Sequence, residues 1–305
     1  MTETAAVPDA LPGTLPGTLP EAILGSLSPS RAADFKACPL LYRFRTIDHL
    51  PEAPSRVATR GTMVHAVLES LFDLPAAERT VEAAQALLPH AWQRVLDEAP
   101  ESAELFADDG DGAEFASWMS SAAALLQNYF ALEDPARLEP AAREERVEIV
   151  IDGLRLRGYV DRIDVSPAGD IRIVDYKTGA SPREAFEAKA LFQMKFYALV
   201  LWRTRGVVPR QLRLMYLADT DTLSYTPDAD ELERFERTLK AIWAAIRRAA
   251  ETGDFRPNPG KLCEWCDHQA RCPAFGGTPP PYPTTDPLPL IDMDHRGQPI
   301  PESAA

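Results

Sequence analysis

The stretch that most constrains the fold is DIRIVDYKTG, residues 170–179. Side chains along a strand alternate between two faces, so Ile171, Ile173, Asp175 and Lys177 would share one face. Two of these residues are apolar and two are charged. One face would therefore run from a core to a site that holds a carboxylate beside an ammonium group. Chance also produces such pairs at solvated strand edges, so the neighbouring segments must decide between the two interpretations.

Two more strands are predicted just before this one, at residues 144–151 and 154–165. The Asp-Gly pair between them is a strong hairpin signal, and a turn at 167–169 leads into the DYK strand. We therefore expect Asp161, in the run GYVDRID, to lie beside Asp175 on the neighbouring strand. Two close carboxylates repel each other unless a cation bridges them, and oxygen-rich sites of this kind suit Mg²⁺ or Mn²⁺.

The alternation leaves one question open about this strand pair. Strict alternation puts Leu156, Gly158 and Val160 on one face and Asp161 on the other. Either a bulge intervenes, or the site lies on the face opposite the apolar residues.

Lys177 has a natural part in such a site, because a lysine beside metal-bound carboxylates can orient an attacking water or help to deprotonate it. It can also offset the charge of the transition state. The backbone carbonyl of Tyr176 is a candidate additional metal ligand. Glu144 and Glu148 share a face of the preceding strand, and either could complete the acidic set. A solvated strand rich in Glu and Arg is the alternative explanation for both glutamates.

The remaining periodicity predicts helices around a core sheet. The 305 residues, 45% of them hydrophobic, support one sizeable domain. This order of elements indicates an α/β or α+β sheet flanked by helices, with a helical insertion between about 73 and 140. The predicted helices span residues 31–41 (interrupted at Cys38-Pro39), 60–72, 80–99, 113–132, 182–204 and 228–251, and a further strand spans 211–217.

Two helices carry polar residues at helical spacing. His65 is followed one turn later by Glu69, and Gln193 is followed one turn later by Tyr197. Taken alone, these residues favour an ordinary structural or solvated role over a functional one.

The four cysteines form a more specific pattern. Cys263, Cys266 and Cys272 give the spacing C-x2-C-x5-C, and Cys38 lies near the start of the predicted fold. Four thiolates serve Zn²⁺ or an iron–sulfur cluster. Because His268 lies inside the same loop, a zinc site of three cysteines and one histidine is also open. Any of these sites would join the two ends of the fold.

The two ends of the chain and its charge complete the prediction. Residues 1–26 contain the repeat LPGTLPGT, residues 275–305 are rich in proline, and both segments are predicted to be disordered. The N-terminus lacks the features of a signal peptide and the chain has no long apolar run, so we expect a cytoplasmic protein with no membrane partner. The net charge of −14 is unusual for a protein that binds nucleic acid.

Taken in order, these motifs resemble the RecB-like exonuclease domains of the PD-(D/E)XK nuclease superfamily. The resemblance is strongest to the four-cysteine iron–sulfur subgroup, which includes the nuclease domain of AddB-type helicase-nucleases. It covers nearly the whole predicted fold, which is taken as residues 27–274. The matching motifs are S-x-S-x-x-x-x-F-x-x-C-P (Ser28 to Pro39), G-x-x-x-H (Gly61 to His65), G-x-x-D-R-I-D (Gly158 to Asp164), V-D-Y-K-T-G (Val174 to Gly179), Q-x-x-x-Y (Gln193 to Tyr197) and the three-cysteine cluster.

The resemblance implies a central mixed sheet flanked by helices and an iron–sulfur cluster that joins the N- and C-terminal parts. It implies a Mg²⁺- or Mn²⁺-dependent DNA exonuclease that acts on single strands or ends in repair or recombination. The resemblance implies three sets of site residues. The metal ligands would be His65, Asp161, Asp175 and the carbonyl of Tyr176. The catalytic residues would be Lys177, Asp175, Asp161 and Glu144 (with Glu148 as the alternative), supported by Gln193 and Tyr197, and the ligands of a [4Fe–4S] cluster would be Cys38, Cys263, Cys266 and Cys272.

An alternative function is a non-catalytic DNA-binding or scaffold subunit of a helicase-nuclease repair complex. The sequence has no G-x-x-x-x-G-K-[ST] phosphate loop, so unwinding would require a helicase or repair-protein partner. Contacts to DNA are expected from basic and aromatic side chains near residues 31–45 and from Arg155, Arg157 and Arg162.

Overall fold

The computed structural model describes residues 25–182 and 184–283. The terminal segments that the sequence predicts to be disordered therefore lie outside the described residues at 1–24 and 284–305. In the described part of the chain, no helix has both the length and the apolar composition needed to cross a membrane.

One mixed sheet of six strands lies at the centre of the fold. Along the sheet the order is β1-β3-β4-β5-β6, and β2 pairs with β3 off this path. The pairs β1–β3 and β4–β5 are parallel, whereas the other pairs are antiparallel. The mixed sheet predicted for this chain is thus confirmed. The strands are β1 (Gly25–Leu27), β2 (Ala142–Ile151), β3 (Leu154–Val165), β4 (Ile171–Lys177), β5 (Gln211–Tyr216) and β6 (Asp221–Tyr225).

Helices cover both faces of this sheet, as expected for an α/β protein. Helices α4 to α6 lie within the stretch in which the sequence predicts a helical insertion. The helices are α1 (Pro29–Ala37), α2 (Pro39–Thr46), α3 (Arg56–Leu71), α4 (Val81–Ala86), α5 (Leu88–Glu98), α6 (Ala113–Leu132), α7 (Glu184–Arg205) and α8 (Ala229–Thr252).

Local sequence signals set the helix boundaries near the N-terminus. The hydroxyl of Ser28 accepts a hydrogen bond from the backbone N–H of Arg31 and so caps α1. The interruption predicted at Cys38-Pro39 divides this segment into two helices, because the chain is extended at Cys38 and α2 begins at Pro39. Proline has no N–H to continue the first helix, but it fits the first turn of the second.

Two hydrophobic cores lie on the two sides of the sheet. One contains Ile171 and Ile173 of β4 with residues of α1, α2, α7 and α8. The other contains Val174 and Tyr176 of the same strand with residues of α3 to α6. The alternation predicted for β4 is therefore present, and the strand brings Asp175 and Lys177 to the edge of the first core.

Ordered contacts continue into both segments that the sequence predicts to be disordered. Gly25 and Ser26 belong to β1, which pairs with β3, so this part of the N-terminal tail is ordered. At the other end, the ring of Tyr282 packs 5.9 Å from that of Phe255, and its hydroxyl donates to the carbonyl of Ala250 at 2.7 Å. Tyr282 thus makes defined contacts within the segment predicted to be disordered, because its large aromatic side chain has an apolar site to fill; for the rest of that segment disorder stays a prediction.

Candidate active site and metal centre

Three carboxylates stand in a row across β2, β3 and β4. The pairs on either side of Glu144 set it opposite Asp161. The register between β3 and β4, continued by one position, sets Asp161 opposite Asp175. Residues opposite each other on neighbouring antiparallel strands have their side chains on the same face, so the sheet gathers all three.

The row lies where the alternation of the strands breaks. Val160 and Ile163 are both buried in the same core although they are three positions apart. In the ladder between β2 and β3, Glu144 and Asp161 are missing from the paired residues. Glu144 also has a φ of 43°, a left-handed conformation that is uncommon for glutamate. A local backbone irregularity therefore places the carboxylates, as one of the two alternatives from the sequence requires. Strain of this kind is frequent at functional sites.

Helix α3 brings His65 to this row. Its Nδ1 lies 3.4 Å from Oδ2 of Asp161 and 3.7 Å from Oε1 of Glu144. Ligand atoms from these three residues all lie within 4.8 Å of one another. The Nε2 of His65 lies 2.8 Å from the carbonyl oxygen of Tyr176, which can only accept a hydrogen bond. Nε2 therefore carries a proton, and a metal-binding histidine typically donates its second N–H in this way.

The pKa values show how strongly negative charge is concentrated here. Burial raises the pKa of Asp161 to about 7, and the neighbouring Asp175 adds to the effect. Burial lowers the pKa of His65, but the carboxylates of Asp161 and Glu144 outweigh it and raise that pKa to about 9. In the metal-free protein a proton on Nδ1 of His65 offsets the negative charge of the carboxylates. A divalent cation would displace this proton and offset that charge instead. The mixed nitrogen and oxygen donors fit Mn²⁺ or Mg²⁺.

Lys177 is fixed at the end of β4 by two partners. Its Nζ lies 2.7 Å from Oδ2 of the buried Asp175 and donates to Oε1 of Gln193 at 2.8 Å. The amide of Gln193 in turn donates to the hydroxyl of Tyr197 at 3.1 Å. The two residues for which the sequence alone favours an ordinary role thus form a chain of hydrogen bonds that ends on the lysine.

Glu148 lies away from this group. Its carboxylate is 2.7 Å from a guanidinium nitrogen of Arg146 and 3.5 Å from Nε of Arg155. The structure therefore brings Glu144, and not Glu148, together with His65 and Asp161.

The arginines expected to contact DNA are largely unavailable. Arg155, Arg157 and Arg162 are 5%, 8% and 0% exposed, so the prediction is wrong for all three. Arg43 is also buried, and Arg45 is engaged by two carboxylates. The reason is the layered fold: other elements cover β3 at these three positions, and Arg155 and Arg162 form ion pairs inside the protein.

One of these buried arginines, Arg162, stabilises the strand residue next to the site. Arg162 forms an ion pair with Glu133, at the end of α6, and donates to the phenolic oxygen of Tyr176 at 2.7 Å. Tyr176 also donates its backbone N–H to Asp161 at 2.7 Å and accepts from His65 through its carbonyl. The sequence gives no sign of Glu133, because the contact joins distant parts of the chain.

An open cavity of about 570 Å³ leads to the metal-binding group. Helices α3 and α5 form its walls, and β2 and β3 contribute the residues nearest the carboxylate row. Arg94, Glu98 and Tyr159 are members of this lining that the sequence does not single out. The lining residues are Gly61, Thr62, His65, Ala66, Glu69, Arg94, Val95, Glu98, Glu144 and Tyr159.

The four cysteines line a second cavity, of about 270 Å³, between the start of α2 and the C-terminal segment. All four are free thiols. Backbone N–H groups point at two of the sulfur atoms: that of Asn258 lies 3.4 Å from Sγ of Cys38, and that of Gly260 lies 3.3 Å from Sγ of Cys263. Because all four cysteines line this one cavity and two of their sulfur atoms accept hydrogen bonds from backbone N–H groups, the residues fit a group held by sulfur ligands.

His268 faces a different partner. Its Nε2 lies 2.9 Å from Oε1 of Glu52, and its ring packs edge-on against that of Phe44. It is buried, and it is not part of the lining of the cysteine cavity.

Similar proteins were found at the level of sequence and of fold. The Gene 69 protein of Mycobacterium phage D29 is 25% identical over 281 residues, which cover 81% of this chain and 96% of the phage protein. The Gene 69 protein of Mycobacterium phage L5 is 30% identical over 130 residues, or 42% of each chain. A crystal structure of a candidate exonuclease from Eubacterium rectale has a TM-score of 0.54 at 14% identity, covering 80% of this chain and 88% of that one, which is a likeness of fold.

The family comparison covers the site as well as the sheet. The model of the PD-(D/E)XK nuclease superfamily matches residues 26–273, a span that contains the carboxylate row, Lys177 and all four cysteines. The chain belongs to the PD-(D/E)XK nuclease superfamily.

Proposed function

We propose that this nuclease is a Mg²⁺- or Mn²⁺-dependent DNA exonuclease that acts on single strands or strand ends in repair or recombination. The observation that carries the proposal is the meeting of His65, Glu144 and Asp161 within 4.8 Å, beside the ion pair of Lys177 and Asp175. A site that holds both a cation and a fixed ammonium group is suited to phosphodiester hydrolysis.

Each residue of the site has a distinct part in this reaction. A divalent cation, when bound, would acidify a water molecule and polarise the phosphate. His65, Glu144 and Asp161 would hold that cation, with Asp175 completing the acidic row. Lys177 would direct its ammonium group at the phosphate and offset the charge that develops there, and Gln193 would keep Nζ from turning away.

The test is digestion of end-labelled DNA by the purified protein. We expect Mg²⁺ or Mn²⁺ to support cleavage, EDTA to stop it, and Lys177→Ala to abolish it while leaving the protein folded. Lys240→Ala is a matched control, because Lys240 binds Asp152 and Glu236 outside the site, and it should retain full activity. Single-stranded DNA, double-stranded DNA and RNA compared side by side would identify the substrate.

A second outcome would favour the alternative function. A protein that binds DNA but never cuts it with either metal would be a non-catalytic subunit. The net charge of −14 and the lack of a phosphate loop support an association with a helicase or repair protein. The intact set of carboxylates and lysine supports an active enzyme.

We further propose that the cysteine cavity holds a [4Fe–4S] cluster rather than zinc. Tetrahedral zinc with bonds of about 2.3 Å brings its sulfur ligands to about 3.8 Å of one another. Within residues 25–182 and 184–283, no three cysteine sulfurs lie within 4.8 Å of one another. All four cysteines line one cavity and His268 does not, and the engagement of His268 by Glu52 argues against a zinc site of three cysteines and one histidine.

Anaerobic purification tests this assignment. A brown protein with bound iron and sulfide is the expected result, and a colourless protein with one zinc ion would overturn it. Because Cys38 and the C-terminal cysteines come from opposite ends of the fold, loss of the cluster should lower the melting temperature more than it alters the chemical step.

A further inference from the structure

An exposed tyrosine stands at the mouth of the metal-binding cavity. Tyr159 lies on β3, two residues before Asp161, and 58% of its surface is exposed. Two residues of a strand span about 7 Å. The ring lines the same cavity as His65 and Glu144, so it faces the space in which a substrate phosphate would meet the carboxylate row.

The Tyr159 side chain is free of polar and aromatic contacts with the described residues. Its backbone belongs to the β2–β3 ladder, but within residues 25–182 and 184–283 its hydroxyl makes no hydrogen bond and its ring contacts no other aromatic ring. Single exposed apolar residues are ordinary on protein surfaces. Tyr159 differs from such residues, because it lines the cavity that leads to the carboxylate row.

The charges of the cavity limit what else can hold a nucleic acid there. Glu69, Glu98 and Glu144 are all part of its lining. Arg94, the arginine of the cavity, is held by Glu69 at 2.9 Å and by Glu98 at 3.2 Å. Phosphates therefore find little free positive charge on these walls. An uncharged aromatic face can bind a nucleobase without this electrostatic penalty.

We propose that Tyr159 stacks against an unpaired nucleobase next to the phosphate bound at the carboxylate row. This inference rests on the proposed function and adds a substrate class to it. A base can reach the ring only when it is not stacked in a duplex, so the site would select single strands or frayed ends.

The experiment measures binding without cleavage, in the Lys177→Ala background with Mn²⁺ present. Fluorescence anisotropy would compare labelled oligothymidylate with a strand of abasic residues of equal length. Adding Tyr159→Ala should raise the Kd for oligothymidylate about 5- to 150-fold, the usual effect of losing one base–aromatic stack. Tyr159→Phe should change it less than about 2-fold, since the phenyl ring stacks as well. On the abasic strand, Tyr159→Ala should have no effect.

Salt dependence separates stacking from charge. Stacking releases no counterions, so Tyr159→Ala should weaken binding while leaving the slope of log Kd against log salt unchanged. An equal loss of affinity on the abasic strand, or no loss on oligothymidylate, would overturn the assignment of Tyr159 and leave the nuclease proposal intact. A wild-type protein that neither binds nor cuts DNA would overturn both.

Discussion

A β-carbon added to Gly158 would lie 2.6 Å from Cε1 of Tyr197, closer than real side chains allow. The glycine of the GYVDRID run therefore leaves room for the ring of a helix residue to lie against β3. The same tyrosine accepts a hydrogen bond from Gln193, which holds Lys177. One missing side chain thus permits the packing that fixes the position of the ammonium group.

We expect Gly158→Ala to destabilise the protein by about 1–3 kcal/mol, the usual cost of an overpacked core. It should also lower the cleavage rate, because the displaced Tyr197 would carry Gln193 away from Lys177. Urea unfolding and a cleavage assay measure the two effects. Gly110→Ala is the matched control, since nothing lies within 4 Å of a β-carbon there. Equal behaviour of the two variants would contradict this explanation.

Gln193→Leu should lower kcat more than it changes KM. A lost hydrogen bond to a charged group is worth about 1.5–3 kcal/mol, or roughly a 10- to 100-fold fall in rate. Tyr197→Phe removes only the hydroxyl that orients the amide, so a fall of a few-fold is expected. Steady-state kinetics on single-stranded DNA would measure both effects. A larger effect of Tyr197→Phe than of Gln193→Leu would argue against a hydrogen-bond chain in which Tyr197 acts on Lys177 through Gln193.

Glu144→Gln and Glu148→Gln form a matched pair on one strand. The first removes a carboxylate that lies near Nδ1 of His65, and the second removes one that binds Arg146 and Arg155. Only Glu144→Gln should weaken Mn²⁺ binding, by about tenfold or more, the scale on which changes around metal sites act. Calorimetric titration with Mn²⁺ measures this, and equal losses in the two variants would place Glu148 in the metal site as well.

The affinity for Mn²⁺ should rise with pH. A cation needs the free lone pair on Nδ1 of His65 and an ionised Asp161, whose pKa values are about 9 and about 7. Below about pH 7 both groups hold protons that the metal must displace, and between about pH 7 and 9 only His65 does. Titration in buffers of different ionisation enthalpy counts the protons released. His65→Gln should remove the proton released by the histidine and leave only that of Asp161, whose pKa rises when the positive charge of His65 is lost. A pH-independent affinity would contradict the donor set.

The buried pair of Arg162 and Glu133 should make the fold sensitive to acid. Burial raises the pKa of Glu133, but the Arg162 guanidinium outweighs burial and the net pKa lies below its usual range. The stabilisation is therefore present above the unfolded pKa of about 4.3 and is lost as pH falls through the folded value.

Glu133→Gln tests this pair. It should lower the free energy of unfolding at neutral pH by about 3 kcal/mol, because Arg162 stays buried and keeps only Asp164 as an acidic partner. It should also lose less stability on acidification than the wild type does. Glu114→Gln breaks the exposed pair with Arg56 and should cost less than about 1 kcal/mol. Urea unfolding at several pH values compares the variants.

The fold could be predicted where local patterning is strong. The strands β2 to β5 and most helices appear at their expected places, because alternation, the Asp-Gly turn and the capping residues are local signals. The single helix predicted at 80–99 is wrong, because the structure has α4 and α5 there, and α5 has Pro89 in its first turn. β1 and β6 are missed for physical reasons. β1 has only three residues and owes its conformation to pairing with β3, and β6 is a largely exposed edge strand with no buried face.

The site was predictable to a similar degree. The alternation of β4 is by itself enough to place Asp175 beside Lys177. The position of Glu144 is not accessible in the same way, because it depends on a break in the alternation at a glutamate of positive φ. The burial of Arg162 is equally hidden, since its partner Glu133 belongs to a helix end that only the tertiary fold brings near.

The carboxylate row also has a consequence for the order of events on the ribosome. His65 is made roughly 130 residues before Gln193, which at about 5–20 residues per second means a delay on the order of ten seconds. A nascent chain released before β4 is complete contains the histidine and two carboxylates but not the lysine. The lysine and its glutamine partner are the last parts of the site to be made, so the ability to cut would arrive only after Gln193 has been synthesised.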